Sequence, residues 1–417
     1  MLYERWRQIA RERPDAIALR EFPSSRSWTF AELADAVEKL PAADQPLMFA
    51  QGHSAGFVFD VLRAWRDHAV LCPLEIGQPN PALPAPPKPA CHLKLTSATT
   101  GPARAVVFTA EQIAADAENI VVTMGLRPDW PNLGAISLAH SYGFSNLILP
   151  LLLHGIPLVL ADSTLPETVR RAAENLSGLT LPAVPALWRT WHETNAIPAA
   201  TRLAISAGAP LPADLESAVF QARGLKIHNF YGSTECGGIA YDATEVPRAD
   251  GTCAGAPMRN VTLDCHDGCV RVASGAAGQS YWPAAAGSLG QGIFQTGDLA
   301  ELRDGQVFLR GRLSEQINVA GRKISPAAIE QVLAAHPAVR ECVVFGMPGR
   351  GAERHETIAA CVVVRERVSA AELKQFLLAR LPAWQLPREW HFVDSLAANE
   401  RGKISRADWR KKFLARD

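Results

Sequence analysis

The 417 residues are 48% hydrophobic and 20% charged with a formal net charge of zero, which suits a soluble globular chain with a sizeable core and more than one domain. Zero net charge leaves no global field to favour nucleic acid or an anionic membrane. The eight cysteines are scattered without a C-x-x-C pair, so neither a disulfide framework nor a zinc-site spacing is present, and a reducing cytosol fits.

The N-terminal MLYERWRQIARERPD reads as a charged helix without the apolar core of a secretory signal. A short strand follows over Ala16–Arg20, and Thr29 with Glu32 forms a capping box that opens a helix. Phe57–His68 is helical and leads into the apolar run Ala69–Leu74. Ile76–His92 holds six prolines in seventeen residues, so it is a stiff connector rather than regular structure.

The stretch Leu95–Thr109, LTSATTGPARAVVFT, sets a run of hydroxyl side chains between two apolar segments, His92–Leu95 and Ala105–Phe108. Both read as strands, with Gly101 and Pro102 breaking the chain between them. Such a loop offers backbone N–H groups and hydroxyl donors to one anion, as a polyphosphate requires. The same residue types also make an ordinary surface turn.

From there strands and helices alternate: the helix Ala110–Met124, strand Ala135–Leu138, helix Phe144–Leu153, strand Pro157–Leu160, helix Pro166–Leu176, strand Gly178–Leu181, helix Pro185–Glu193, strand Arg202–Ser206, helix Pro212–Arg223 and strand Lys226–Phe230. This alternation predicts a mostly parallel sheet covered by helices. Ligands in such sheets sit at the carboxyl ends of strands, where the hydroxyl loop, Ser206–Gly208 and Tyr231–Glu235 all fall. Trp130–Ala161 carries no charged residue, but its prolines and polar residues favour a buried helix and strand over a membrane span.

Leu263–Leu309 changes to short strands and Gly/Asp turns, a small β-rich subdomain. Within it, Cys265–Cys269 (CHDGC) reads as a hairpin turn rather than a metal cluster. Beyond the boundary at Gly311–Arg312, Ser325–Pro326 opens a helix, Val339–Gly346 and Thr357–Val364 are strands, and Ser369 with Glu372 caps a further helix to Arg380. The expected domains are therefore 1–311 and 312–417. The second carries 18 Lys/Arg against 12 Asp/Glu, a balance of +6. That suits either a polyanion or a solvated basic face.

Five stretches in order, TSATTG (96–101), YGSTE (231–235), TGD (296–298), GRLSEQINVAGRKISPAAIE (311–330) and ERGKISR (400–406), resemble the acyl-adenylate-forming superfamily of acyl- and aryl-CoA synthetases, peptide-synthetase adenylation domains and firefly-type luciferases. The resemblance covers nearly the whole chain. It implies a large N-terminal α/β domain, a small mobile α+β C-terminal domain, and a cytoplasmic enzyme that converts a carboxylate and ATP to acyl-AMP before transfer to a thiol.

The resemblance also assigns roles. Thr96, Ser97, Thr99, Thr100, Gly101 and Arg104 match the polyphosphate loop; Glu235 matches the Mg²⁺ ligand, and Thr234 beside it the α-phosphate contact. Tyr231, with Gly232 and Ser233, matches the segment whose aromatic ring packs on adenine, and Ser206, Ala207 and Gly208 the wall of the adenine and acyl pockets. Asp298 matches the ribose acid, Arg312 the arginine near ribose and phosphates, and His140 the histidine near the acyl carboxylate. Lys403 matches the lysine that bridges carboxylate and α-phosphate, Glu315 the hinge acid, and Gly321 the segment along the pantetheine arm. Phe144, Leu147, Ile148, Phe230, Gly237, Gly238 and Ile239 are apolar pocket candidates. The chain departs from the pattern at Ala98, where many members have Gly, at Ala103–Arg104–Ala105, which replaces Pro-Lys-Gly, and at Glu315, where Asp is common. It is also shorter than typical members, chiefly before the hydroxyl loop.

Amino-acid-activating members place an Asp near the helix after the His140 stretch; His140–Leu153 has no acid, which implies an aryl or aliphatic acid without an α-amine. CoA and the phosphopantetheine of a carrier protein present the same thiol, so both acceptors stay open. Two further readings are a nucleotide-binding regulator that has lost catalysis and a membrane-bound acyltransferase.

Overall fold

The computed structural model describes residues 1–96, 104–284, 286–349, 356–396 and 405–414. The chain divides into two compact units. The first is Met1–Asp264, Arg271–Thr296 and Arg303–Val307; the second is Cys265–Val270, Gly297–Leu302 and Phe308–Asp417.

The first unit holds the expected mostly parallel sheet. The strands Ile227–Ser233, Thr201–Ser206, Leu179–Ala183, Asn132–Gly134, Leu158–Ala161 and Ile17–Phe22 lie side by side in that order, each pair parallel where its register is defined. Gly237–Tyr241 and Cys253–Pro257 extend the sheet antiparallel beyond Ile227–Ser233. A core of Leu133, Leu181, Trp188, Trp191, Val219 and Ile227 covers one face. A second, five-stranded sheet runs Ser280–Trp282, Ala105–Phe108, His92–Leu95, Val70–Leu74, Leu47–Gln51. Thr29 caps its helix as expected: its hydroxyl accepts from Glu32 N and the Glu32 carboxylate accepts from Thr29 N. The helix Ala110–Met124 has the expected bounds and ends on Gly125 in the left-handed region, φ 64°.

In the second unit, Val339–Pro348, Glu356–Val364 and Glu389–Phe392 form a three-stranded sheet, packed through Val344, Val362, Leu373 and Leu377 on the helices Pro326–Ala334 and Ala370–Leu378. Ser369 and Glu372 make the expected capping box. The CHDGC stretch is a hairpin turn, with Asp267 and Gly268 at φ 51° and 75°. Among the described residues no group of three or more acids, cysteines and histidines could hold a metal, and no helix is long and apolar enough to cross a membrane.

Four local expectations are corrected. The strand expected over Ala135–Leu138 is Asn132–Gly134, because the chain then turns and Ser137 bonds Glu75 and the Ala139 N–H. The helix expected over Phe144–Leu153 contains a π-helical stretch, Phe144–Ile148. Pro150 has no N–H to give Asn146 O, and the Asn132 side chain donates to that oxygen instead at 3.0 Å. His92–Leu95 is a strand but not an apolar one: His92 and Lys94 are buried in it. Ser325 stands at the N-cap without a side-chain capping bond.

A buried ion cluster fixes the strand that leads to the YGSTE stretch. Glu216, fully buried, accepts from Lys226 Nζ and from Arg248 N and Nε at 2.9 and 2.8 Å. Lys226 also donates to Asp242 at 2.6 Å, and Arg248 to the carbonyls of Leu211 and Cys253 at 2.8 and 2.6 Å. Removing one partner leaves a buried charge uncompensated. We predict that Glu216→Ala lowers the unfolding free energy by about 3–5 kcal/mol, seen as a lower urea midpoint; a loss below about 1 kcal/mol would show that the cluster anchors nothing. Burial pushes the Asp242 carboxyl up, but bonds from Lys226 and Thr244 outweigh this and hold it below the usual range. Its folded value lies below its unfolded one, so its stabilisation is present above about pH 4 and is lost as pH falls through the folded value. The stability gap between the parent and Asp242→Asn should therefore close in acid; a gap constant with pH would remove the carboxylate from the account.

Candidate active site

The site in the first unit is assembled at the carboxyl ends of parallel strands. Tyr142 Oη donates to Ile205 O at 3.2 Å and lies 3.4 Å from Ala183 O, spanning two neighbouring strand ends. Its ring packs on Phe230 with centroids 5.8 Å apart. This one side chain brings together the His140 stretch, the strand ending at Ser206 and the strand carrying Tyr231. Gly208 holds φ 86°, a backbone position that a side chain would strain. Ser206 Oγ is buried without a partner.

His140 is oriented by a residue absent from the sequence reading. Its Nε2 lies 3.1 Å from Glu75 Oε1, and Ser137 Oγ donates to that same oxygen at 2.8 Å. Glu75 follows the strand Val70–Leu74 directly; its signal in the sequence was only one acid at a strand's end. Gly143 allows the tight turn here, since a Cβ would stand 1.9 Å from Ser137 O. Phe144, Leu147 and Ile148 are buried in the π-helical stretch, and Phe230, Gly237, Gly238 and Ile239 are buried along the two strands that flank Tyr231–Glu235.

The YGSTE stretch makes a tight reversal between Ile227–Ser233 and Gly237–Tyr241. Ser233 Oγ accepts from the backbone of Glu235 and Cys236 at 3.2 and 3.3 Å. Gly232 is required because a Cβ would lie 2.7 Å from Gly237 O. Glu235 is then held from a second segment: Gly278 N, just before the strand Ser280–Trp282, donates to its carbonyl at 2.8 Å, and Tyr281 Oη, in that strand, donates to its Oε1 at 3.0 Å. Burial first, then the Glu235 charge, push the Tyr281 phenol up to about 12, so it keeps its proton and donates. Arg104 lies over the Tyr281 ring, 3.6 Å from the centroid. Tyr281 thus joins the end of the hydroxyl loop to the candidate metal ligand. The sequence did not single it out, since a lone tyrosine in a short strand carries no pattern.

These residues fit a Mg²⁺ ion. One oxygen of Glu235 is braced by a neutral donor, and a hard ion bound through a single carboxylate plus substrate phosphates needs no larger protein cluster. Cys236 beside it is buried and its thiol is pushed up to about 12 by burial, so it is no nucleophile. The base of the hydroxyl loop is closed by Thr96 N and Oγ1, which donate to Arg104 O at 2.9 and 3.1 Å. Ser97, Thr99, Thr100 and Gly101, with Ala98 and Ala103, lie outside the described residues, as does Lys403.

In the second unit, Arg312 Nε donates to Asp298 Oδ1 at 2.9 Å, so the two candidate ribose contacts are adjacent. Glu315 pairs with Arg406, which also donates to Glu330 from Nε at 3.1 Å. Gly321, at φ 84°, turns a hairpin between Ile317–Val319 and Arg322–Ile324, and its N–H donates to Asn318 Oδ1 at 2.9 Å. Arg322, Lys374 and Arg388 line a cavity of about 350 Å³ with Trp384 and Leu386; Arg322 lies 5.4 Å from the Trp384 ring centre.

Residues 48–280 match the AMP-binding enzyme family, and residues 328–403 its C-terminal domain. The chain is 29% identical to a feruloyl-CoA synthase of an Amycolatopsis species over 360 residues, 80% of this chain and 72% of that one. It is also 29% identical to the fatty acid–[acyl-carrier-protein] ligase ScoC of Streptomyces coeruleorubidus over 421 aligned residues, 92% of this chain and 76% of that one. Its fold superposes on ATP-bound MatB from Rhodopseudomonas palustris with a TM-score of 0.86 at 19% identity, covering 99% of each chain. The matched family spans more than half of the chain and includes the His140, Ser206 and YGSTE stretches, and the chain is thereby a member of the AMP-binding enzymes, an AMP-forming acid–thiol ligase of the acyl-CoA synthetase type.

Proposed function

We propose that the chain activates a carboxylic acid lacking an α-amine to acyl-AMP and passes the acyl group to the thiol of CoA. The observation that carries this reading is the convergence of His140, Ser206–Gly208 and a doubly braced Glu235 at the strand ends. In the first step a carboxylate oxygen attacks the α-phosphorus of ATP, the bond to the β-phosphate oxygen breaks, and pyrophosphate leaves. In the second the thiol sulfur attacks the acyl carbon, loses its proton, and AMP leaves.

Each step sets a charge problem for named residues. Thr96 and Arg104, with the hydroxyl residues between them in sequence, would meet the departing phosphates. Glu235 would hold Mg²⁺, which supplies positive charge shared by the phosphates. Thr234 would contact the α-phosphate, Tyr231 the adenine, and Asp298 and Arg312 the ribose. Glu75 would hold the His140 ring in place beside the acyl carboxylate. Lys403 would bridge carboxylate and α-phosphate as a point charge, with Glu315 near the pivot of a mobile C-terminal domain that begins at Gly311–Arg312.

The acid's class follows from charge. His140–Leu153 carries no acid, and Asp116, which approaches this segment through Ser145 at 2.6 Å, is matched by Lys94. A buried ammonium on the substrate would find, among the described residues around this segment, only Glu75 and Asp116, which are already held by His140 and Lys94. The feruloyl-CoA synthase relative favours an aryl acid. For the acceptor, the cavity around Arg322, Lys374, Arg388 and Trp384 suits a phosphate-bearing thiol with an aromatic base, which CoA is. The ScoC relative supports a carrier-protein thiol as the second reading.

Acid-dependent exchange of labelled pyrophosphate into ATP tests the first step. Exchange is expected with aryl or aliphatic acids and not with amino acids; none with any acid, from a folded chain that binds ATP, would favour a nucleotide-binding regulator instead. Lys403→Ala is expected to abolish acyl-AMP formation and to leave thioester formation from supplied acyl-AMP largely intact; equal loss of both would sink the Lys403 role. Tyr281→Phe is expected to raise the Mg²⁺ concentration for half-maximal exchange about 10-fold or more, with weaker Mn²⁺ binding to the ATP complex by magnetic resonance. An unchanged Mg²⁺ requirement would leave the Tyr281–Glu235 bond without a role in metal binding.

A further inference from the structure

We propose that Lys94 is a specificity-determining residue, setting one end of the acyl pocket to receive an acid that carries a neutral oxygen acceptor opposite its carboxylate. The inference rests on the adenylating reading above and adds the chemistry of the substrate's tail.

Lys94 lies in the strand His92–Leu95, its side chain only 4% exposed. Its ammonium reaches Ser145 Oγ at 3.2 Å, Ser141 Oγ at 3.3 Å and Asp116 Oδ2 at 3.4 Å. All are longer than the roughly 2.7–2.9 Å of a charge-assisted bond. The neighbouring Ser145 Oγ to Asp116 Oδ2 bond is 2.6 Å, so the cluster is not loose throughout; the slack is at the ammonium. Three acceptors thus meet its three N–H groups, and the Phe108 ring centre lies 4.8 Å away; a buried cation is still costly as mere packing, where an apolar side chain would serve better.

The cluster borders pocket residues on two sides. Ser141 follows His140 directly and is half-buried. Asp116 Oδ1 accepts from Gly238 N at 3.2 Å, and a Cβ on Gly237 would stand 2.0 Å from that same oxygen. A substrate oxygen would take the place of the Ser141 hydroxyl as one of the ammonium's three acceptors. Because Asp116 already balances Lys94, a neutral hydroxyl, ether or ketone keeps the cluster neutral, whereas a second carboxylate buries a net negative charge.

The test compares matched acids: an aryl acid with its para-hydroxyl analogue, hexanoate with 5-oxohexanoate, and hexanoate with adipate. The parent enzyme is expected to favour the hydroxyl or keto member by about 10-fold or more in pyrophosphate-exchange kcat/KM and to disfavour adipate. In Lys94→Met that ratio is expected to fall within about threefold. Lys94→Met/Asp116→Asn, which removes both charges together, is expected to behave alike and guards against misfolding of the single variant. No preference in the parent, a preference for adipate, or an unchanged ratio in the folded variants overturns the proposal. Calorimetric binding of the same acids separates the two readings. Lys94-dependent binding without exchange would sink adenylation alone, and exchange without a Lys94-dependent ratio would sink this proposal alone.

Discussion

Glu216, Lys226, Asp242 and Arg248 form the contact on which the catalytic face of the first unit depends. Two carboxylates and two cations share a space closed to water. Such a cluster adds little net stability compared with an apolar core of the same volume, because desolvation offsets the Coulomb attraction. Its effect is geometric. It draws the helix Ala213–Arg223, the root of the strand Ile227–Ser233 and the loop before Cys253–Pro257 to one point. That strand then runs straight to Tyr231 and the turn at Glu235, so the anchor at one end sets the position of the site at the other.

At the far end the same logic recurs on a smaller scale. Glu235 is fixed through its backbone by Gly278, in the loop before the strand Ser280–Trp282, and through its carboxylate by Tyr281 in that strand, which pairs with Ala105–Phe108. The hydroxyl loop leaves that second sheet at Thr96 and returns to it at Arg104. Arg104 and Tyr281, which braces the candidate metal ligand, are therefore referred to one sheet, and Ser206 and Phe230 to the other. Preorganised charge of this kind needs little rearrangement when negative charge develops on transferring phosphate.

The sequence made the architecture legible where one local rule decided the outcome. Capping boxes at Thr29 and Ser369 placed helix starts, Gly125 closed the helix from Ala110, and the alternation from Thr109 to Phe230 announced the parallel sheet. Legibility failed where a distant partner decided. Asn132 reaches across to the carbonyl of Asn146 and, with Pro150, turns an ordinary helix into a π-helical stretch. Glu75 and Tyr281 reach His140 and Glu235 only because folding sets them there; nothing in their immediate neighbours marks them. The family motifs single out Glu235, Asp298 and Arg312 as candidates because each sits in a run of several residues with a fixed order.

The departures from simple folding rules gather around the acyl side of the site. A lysine occupies an interior strand, Ser145 is buried on a helix with Ser141 half-buried just before it, that helix is locally π-helical, and Gly237 at φ 66° faces a carboxylate too near for any side chain. Each costs stability, and the core of Trp188 and Trp191 a few strands away shows that the fold packs apolar layers without such devices. Chains tolerate local conflicts of this kind mainly where function requires them. The clustering of four such conflicts within one contact network, touching both Ser141 and Gly238, points to selection on what the pocket holds rather than on how the domain folds. With Asp116 paired to Lys94, that network would offer a substrate a hydrogen-bond donor rather than an anion awaiting an amine.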